Sequence, residues 1–167
     1  MKKISLLLVV VSALIYVSCD KKREGKPRVL VFSKTAGFHH ASIPAGMAAI
    51  RKMGTENGFD VDTTINSNRF TEDSLKKYSA VIFLNTTGNV LDYAQEAAFE
   101  RYIQSGGGFV GVHAATDTEY DWGWYGRLVG AYFNGHPKTQ QAKFNIKDSE
   151  SQFQCIVDFF SSRGEPN

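Results

Sequence analysis

The chain has 167 residues, of which 43% are hydrophobic and 22% are charged. Its 19 lysines and arginines face 17 aspartates and glutamates, and the two signs become equal once Lys2 and Lys3 are removed with the signal peptide predicted below. A nearly neutral protein offers no electrostatic basis for binding nucleic acid. The only two cysteines are Cys19 and Cys155, which excludes a cysteine-rich metal cluster and a CxxC redox motif.

The N-terminus has the order of segments that is typical of an exported bacterial lipoprotein. Two lysines precede an apolar run from Ile4 to Val17, and Cys19 follows after one intervening residue, Ser18. The run is too short to span a bilayer and predicts a signal peptide over residues 1–18. Acyl chains on Cys19 would anchor the protein to a membrane of a bacterial cell envelope, at the periplasmic or outer-membrane face, and residues 19–27 would form a basic tether. Plain secretion is the alternative.

From Arg28 onward the pattern alternates between strand and helix, which predicts a single α/β domain over residues 28–147. Apolar runs predict strands over residues 29–32, 59–63, 80–85 and 109–112. Helical spacing predicts helices from Ile43 to about Asn57, over residues 71–77 and from Leu91 to about Ser105, the last with a capping box of Asp92 and Gln95. This order is typical of a mainly parallel sheet with helices on both faces. Residues 148–167 are interpreted as a divergent C-terminal tail.

Polar residues follow three of the predicted strands. They are His39 and His40 after the first strand, Thr86 and Thr87 after the third, and His113 after the fourth. The carboxyl ends of parallel strands share one edge of a sheet, so these side chains are expected to converge on a ligand. His113 is predicted as the central acid, base or ligand group, with Asp117 orienting an imidazole.

The histidines leave two alternatives open. Imidazole nitrogens suit divalent zinc, manganese, iron or nickel, so a divalent metal is one interpretation and the cofactor is unknown. The chain has no HExxH or comparable spacing of ligands, and a loop histidine that is simply hydrogen-bonded is the other interpretation. Thr86 and Thr87 have a similar alternative, since threonine hydroxyls also satisfy turn backbone.

The segment Glu119–Tyr125 is rich in aromatic and acidic residues, which is the chemistry of a sugar site. Tyr120 and Trp122 are predicted to bind substrate together with His136, and packing over the sheet is the equal alternative for the aromatic rings. The glycines at positions 106–108 precede a strand rather than open a helix, which excludes a dinucleotide or phosphate loop.

Several separated motifs, in order, resemble the ThuA-like family, which is named for trehalose utilisation. They are Val29-Leu30-Val31-Phe32-Ser33, Gly37-Phe38-His39-His40, Ser42-Ile43-Pro44, Gly106-Gly107-Gly108-Phe109-Val110-Gly111-Val112-His113 and Trp124-Tyr125. The resemblance implies a class I glutamine amidotransferase-like fold, a flavodoxin-like three-layer sandwich, and a role in the uptake or breakdown of sugars. The sequence departs from the family after His136, so the C-terminal part of the domain is expected to be truncated.

Amidotransferases of this fold carry a cysteine nucleophile where this chain has His113. Glutamine hydrolysis needs a thiolate to form its thioester, so that activity is not expected. The expected function is that of a cell-envelope lipoprotein whose ThuA-like domain binds or processes a sugar-derived small molecule in carbohydrate utilisation. The alternative is a non-catalytic binding or scaffold domain that partners carbohydrate-catabolic enzymes of the envelope.

Overall fold

The computed structural model describes residues 25–136, Lys138 and Gln141. The predicted signal peptide, Cys19, most of the tether and the C-terminal tail lie outside the described residues. Within them, no helix is both long and apolar enough to cross a membrane. The described residues form four strands of five residues each: β1 (Arg28–Phe32), β2 (Asp60–Thr64), β3 (Ala80–Leu84) and β4 (Gly108–Val112).

The four strands form one parallel sheet in the order β2-β1-β3-β4. Phe32 pairs with Phe83 across β1 and β3, and Leu84 pairs with Val112 across β3 and β4. Because the strands run in the same direction, the loops that follow Phe32, Leu84 and Val112 all begin at one edge of the sheet. The predicted α/β fold with a mainly parallel sheet is confirmed, and this edge is where the polar residues gather.

Helices cover both faces of the sheet, as the three-layer prediction requires. The α-helices are α1 (Ile43–Asn57), α2 (Glu72–Leu75), α3 (Tyr93–Gln104) and α4 (Gly123–Val129). Two short 3-10 helices span Ser67–Arg69 and His113–Thr116. Helix α1 packs on one face, where Ile50 meets Val31 and Leu84. Helices α2, α3 and α4 pack on the other face.

Phe83 lies at the centre of the larger core. Its ring is 5.3 to 5.8 Å from five other aromatic rings, measured between centroids, and most of these pairs meet edge to face. The five rings are those of Phe32, Phe70, Phe99, Phe109 and Tyr125. Aromatic pairs in this geometry add stabilisation beyond the burial of their area. The carboxyl end of β3 therefore packs against a cluster of aromatic rings.

A close approach fixes α1 over β3. A Cβ atom at Gly46 would lie 2.9 Å from Leu84 Cδ1, so a larger residue here would force the buried Leu84 side chain or the helix to shift. The helix ends as predicted at Gly58, which has a left-handed φ of 74°. Ser42 occupies the predicted N-cap position, yet its side chain makes no cap hydrogen bond. The Ser42 hydroxyl instead accepts a hydrogen bond from the side chain of Asn85, the residue directly after β3. The start of α1 therefore lies at the carboxyl edge of β3.

Candidate functional site

The chain leaves β4 through an unusual backbone conformation at His113. Its φ is 51°, in the left-handed region that costs a residue with a side chain about 1 kcal/mol. The residue then begins the short helix His113–Thr116, so the backbone makes a strand–turn–helix elbow. This elbow leaves His113 exposed at the sheet edge, as the sequence predicted.

The His113 ring borders a pocket of about 500 Å³ at this edge. The pocket is lined by Phe38, His40, His113, Ala114, Thr116, Asp117, Phe133 and His136. The rings of His40 and His113 meet edge to face with 4.6 Å between their centroids, and Phe38 packs against His40 at 4.8 Å. Four of the residues predicted to form the site, His40, His113, Asp117 and His136, are thus brought together.

The environment of His40 favours its neutral form. Partial burial lowers the pKa of His40, the neighbouring His113 lowers it further, and Asp117 offsets part of the effect. Since the ordinary pKa of histidine is about 6.5, His40 is an uncharged imidazole at neutral pH. A neutral imidazole accepts a proton or a hydrogen bond from a hydroxyl group. His40 therefore has the chemistry of a general base.

Asp117 is held in the pocket wall by Tyr120. The Tyr120 hydroxyl lies 2.7 Å from Asp117 Oδ1 and 2.8 Å from the backbone oxygen of Phe133, and the two acceptors share its proton. Burial and the bond to Asp117 raise the pKa of Tyr120 to about 12, so the hydroxyl stays protonated. Tyr120 itself does not line the pocket, and its hydroxyl joins Asp117 to the backbone of Phe133.

Four other residues that the sequence analysis assigned to substrate binding do not line the pocket. Thr86 Oγ1 lies 2.8 Å from Thr118 Oγ1 inside the protein, and Thr87 Oγ1 donates to the backbone oxygen of Phe38 at 2.9 Å. His39 is exposed, with its Nδ1 3.2 Å from Thr35 Oγ1.

Trp122 is the fourth of these residues, and it belongs to the aromatic core. Its ring stacks on those of Trp124 and Tyr125, with centroids 5.0 and 5.9 Å apart. The packing alternative therefore describes Trp122. Thr87 satisfies loop backbone, as its alternative proposed, whereas Thr86 is paired with a buried hydroxyl.

Sequence reasoning did not single out the two aromatic walls of the pocket. Phe38 is 69% exposed and Phe133 is 41% exposed, which is high for such apolar side chains. Phe38 stands beside the histidines in the sequence, so an aromatic residue within a histidine loop was an available signal. Phe133 carries no local signal, because only the fold of the segment after α4 brings it to the pocket.

Glu119, which begins the acidic and aromatic segment identified in the sequence, is not in the pocket lining; it is 1% exposed and has a φ of 53°. Its Oε1 accepts hydrogen bonds from the backbone amides of Val90 and Leu91, at 2.7 and 2.8 Å. Burial raises the pKa of this carboxyl group, although the two amides act in the opposite direction. Glu119 thus joins the loop after β3 to the loop after β4 and supports the pocket from behind.

The described residues contain no group of three or more histidine, cysteine, aspartate or glutamate side chains placed to hold a metal ion. The histidine pair with Asp117 remains the polar centre of the pocket.

The fold and the pocket define an α/β domain of three layers with an exposed histidine at the elbow after its fourth strand. The model of the ThuA family, described as trehalose utilisation, matches residues 28–160, and the chain belongs to this family. The match extends beyond residue 147, where the sequence analysis placed the end of the domain. A comparison with curated proteins gives no match.

Among solved structures, the chain is similar to the crystal structure of a ThuA-like protein from Bacteroides uniformis ATCC 8492. The two are 26% identical, with a TM-score of 0.56, and the alignment covers 72% of this chain and 51% of that protein. The chain therefore spans about half the length of this relative. The predicted family resemblance is confirmed by both comparisons.

Proposed function

We propose that this protein is a cell-envelope lipoprotein whose pocket binds a sugar-derived small molecule and whose His113 acts on it as an acid or base. The observation that carries the proposal is the contact between the His40 and His113 rings, 4.6 Å apart, inside a pocket that also contains Asp117. Imidazole and carboxylate groups hydrogen-bond hydroxyls and transfer protons to and from them.

The walls of the pocket support a sugar as the ligand. Phe38 and Phe133 present exposed aromatic faces, and the apolar face of a pyranose ring packs on such surfaces while its hydroxyls bind polar groups. The volume of about 500 Å³ lies in the range of small-molecule sites. The family's description as trehalose utilisation supports the same class of ligand.

The lipid anchor rests on the sequence alone. A charged start, an apolar run and Cys19 occur in that order, which is the order that export and acylation require. In this proposal the pocket works outside the cytoplasm, on sugars that have reached the envelope.

The test is calorimetric titration of the full-length protein with trehalose and with glucose. Three forms are compared: the wild type, His113→Asn and His39→Asn. Asparagine tolerates a left-handed φ, so His113→Asn removes the imidazole and retains the elbow. His39→Asn removes a histidine that does not line the pocket and serves as the matched control.

We expect the wild type and His39→Asn to bind with equal affinity and His113→Asn to bind at least tenfold more weakly. Product analysis by NMR then separates the two functional classes, because conversion of the sugar that depends on His113 identifies an enzyme and binding without conversion identifies a module. Absence of binding to either sugar, or equal binding by His113→Asn, would refute the proposal.

A further inference from the structure

The amide of Asn85, directly after β3, is buried and only half satisfied. The residue is 4% exposed, and its Nδ2 donates a hydrogen bond to Ser42 Oγ at 2.9 Å. Its Oδ1 is buried and has no hydrogen-bond partner among the described residues. Buried polar atoms are almost always paired in native proteins, so an unpaired carbonyl oxygen at this position needs an explanation.

Two further departures from ordinary structure occur at the same place. Asn85 has a φ of 51°, in the left-handed region. Ser42 is the N-cap residue of α1, but its hydroxyl accepts the bond from Asn85 and does not cap the helix. An unpaired buried atom, a left-handed φ and a missing cap bond each cost free energy. Such costs often occur together at functional sites, where the surrounding fold maintains them.

Asn85 is a direct neighbour of the histidine pair. Its backbone amide donates to the oxygen of Val112 at 3.2 Å, so Asn85 and His113 leave adjacent strands side by side, and both have a φ of 51°. Ser42 lies two residues after His40, whose ring contacts that of His113. Within the described residues, the ring nitrogens of His113 have no hydrogen-bond partner, and the nearby Oδ1 of Asn85 has none either.

We infer that Asn85 is a positioning residue for His113: in the working state of the pocket, its Oδ1 accepts a hydrogen bond from an imidazole N–H of His113. The bond would form by rotation of the exposed His113 side chain, whereas the His40 ring is packed against both Phe38 and His113. With one ring nitrogen fixed as the donor to Asn85, the other nitrogen is left as the proton acceptor that faces the pocket.

This inference takes from the proposed function only that His113 is the residue that acts on the ligand. It can be tested without any ligand. The readout is the tautomer of each histidine, measured by long-range ¹H–¹⁵N NMR on the full-length protein. The other titratable groups that line the pocket are His40, Asp117 and His136, and the histidines among them are observed in the same spectra.

The variants are Asn85→Gly, Asn85→Asp and Ser33→Ala. Glycine adopts the left-handed φ without strain and removes the acceptor, whereas aspartate retains an acceptor and adds a charge. Ser33 follows β1, two strands away from β4, and its Oγ is the other buried polar atom that lacks a partner among the described residues. Ser33→Ala is therefore the matched control, because it removes an unpaired buried polar atom without changing Asn85.

We expect one dominant neutral tautomer of His113 in the wild type, in Asn85→Asp and in Ser33→Ala, and a mixture of both tautomers in Asn85→Gly, which has lost the acceptor. An unchanged His113 tautomer in Asn85→Gly, or a mixture of tautomers already in the wild type, would overturn the inference, whether or not a sugar binds. Conversely, a His113 response without sugar binding refutes the proposed function alone.

Discussion

Replacement of Glu119 provides a direct test of how the pocket is supported. In Glu119→Ala the backbone amides of Val90 and Leu91 lose the carboxylate oxygen that accepts both of their hydrogen bonds. An unpaired buried donor costs about 1–3 kcal/mol, so the pair is expected to cost about 2–6 kcal/mol of the free energy of unfolding. At roughly 4 °C per kcal/mol for a domain of this size, the melting temperature falls by about 8 °C or more.

Glu119→Gln is the matched variant, because its amide oxygen still accepts both bonds and its side chain carries no charge. Burial raises the pKa of Glu119 above its ordinary value of 4.5 in the folded protein. Protonation of Glu119 therefore stabilises the folded protein. This stabilisation is fully present below the pKa of Glu119 in the unfolded chain, and it is lost as the pH rises through the pKa of Glu119 in the folded protein. At pH 7, Glu119→Gln is expected to be at least as stable as the wild type.

Urea denaturation, followed by circular dichroism at several pH values between 4 and 8, measures both effects. The advantage of Glu119→Gln over the wild type should shrink as the pH falls toward 4, where Glu119 is protonated in both states. The reasoning is refuted if the glutamine variant is as unstable as the alanine variant, or if its difference from the wild type does not change with pH.

Three further outcomes are expected. Gly107→Ala should lose about 1–3 kcal/mol in denaturant titration, because its Cβ would lie 2.3 Å from Tyr102 Cζ, whereas Gly123→Ala, with no contact nearer than 3.9 Å, should not show this loss. Metabolic labelling with a fatty acid should mark the wild type and not Cys19→Ala, and equal labelling would rule out acylation at this residue. Glutamine should not be hydrolysed, because His113 occupies the elbow; ammonia release that His113→Asn abolishes would contradict this.

The elements of the fold could be predicted because their signals are local. The apolar runs of β1 and β3 predicted those strands to within one residue at either end. The capping box of Asp92 and Gln95 is present, with both of its hydrogen bonds. Such patterns depend on neighbouring residues alone, and the order of the elements then determines which strand ends share an edge.

The arrangement of the pocket could be predicted only in part, because side-chain partners depend on distant parts of the chain. Trp122 and Phe133 are both aromatic residues near α4, yet the first joins the core and the second lines the pocket. The sequence analysis predicted no helix in the segment Glu119–Tyr125, whereas α4 begins within it at Gly123. Tyr125, 0% exposed, fixes the start of this helix in the core, and that burial leaves no periodic signal over so few residues.

At His113, the left-handed φ determines the path of the backbone through the elbow, whereas the side chain determines the chemistry. The backbone hydrogen bond from Asn85 to Val112 holds the strand end that precedes the elbow, and it does not involve the His113 side chain. A residue that tolerates the left-handed φ, such as asparagine, can therefore replace His113 and change the chemistry there while the strand end keeps this contact. In evolutionary terms, such an elbow lets one fold acquire a new reaction while the shape of its binding pocket is inherited.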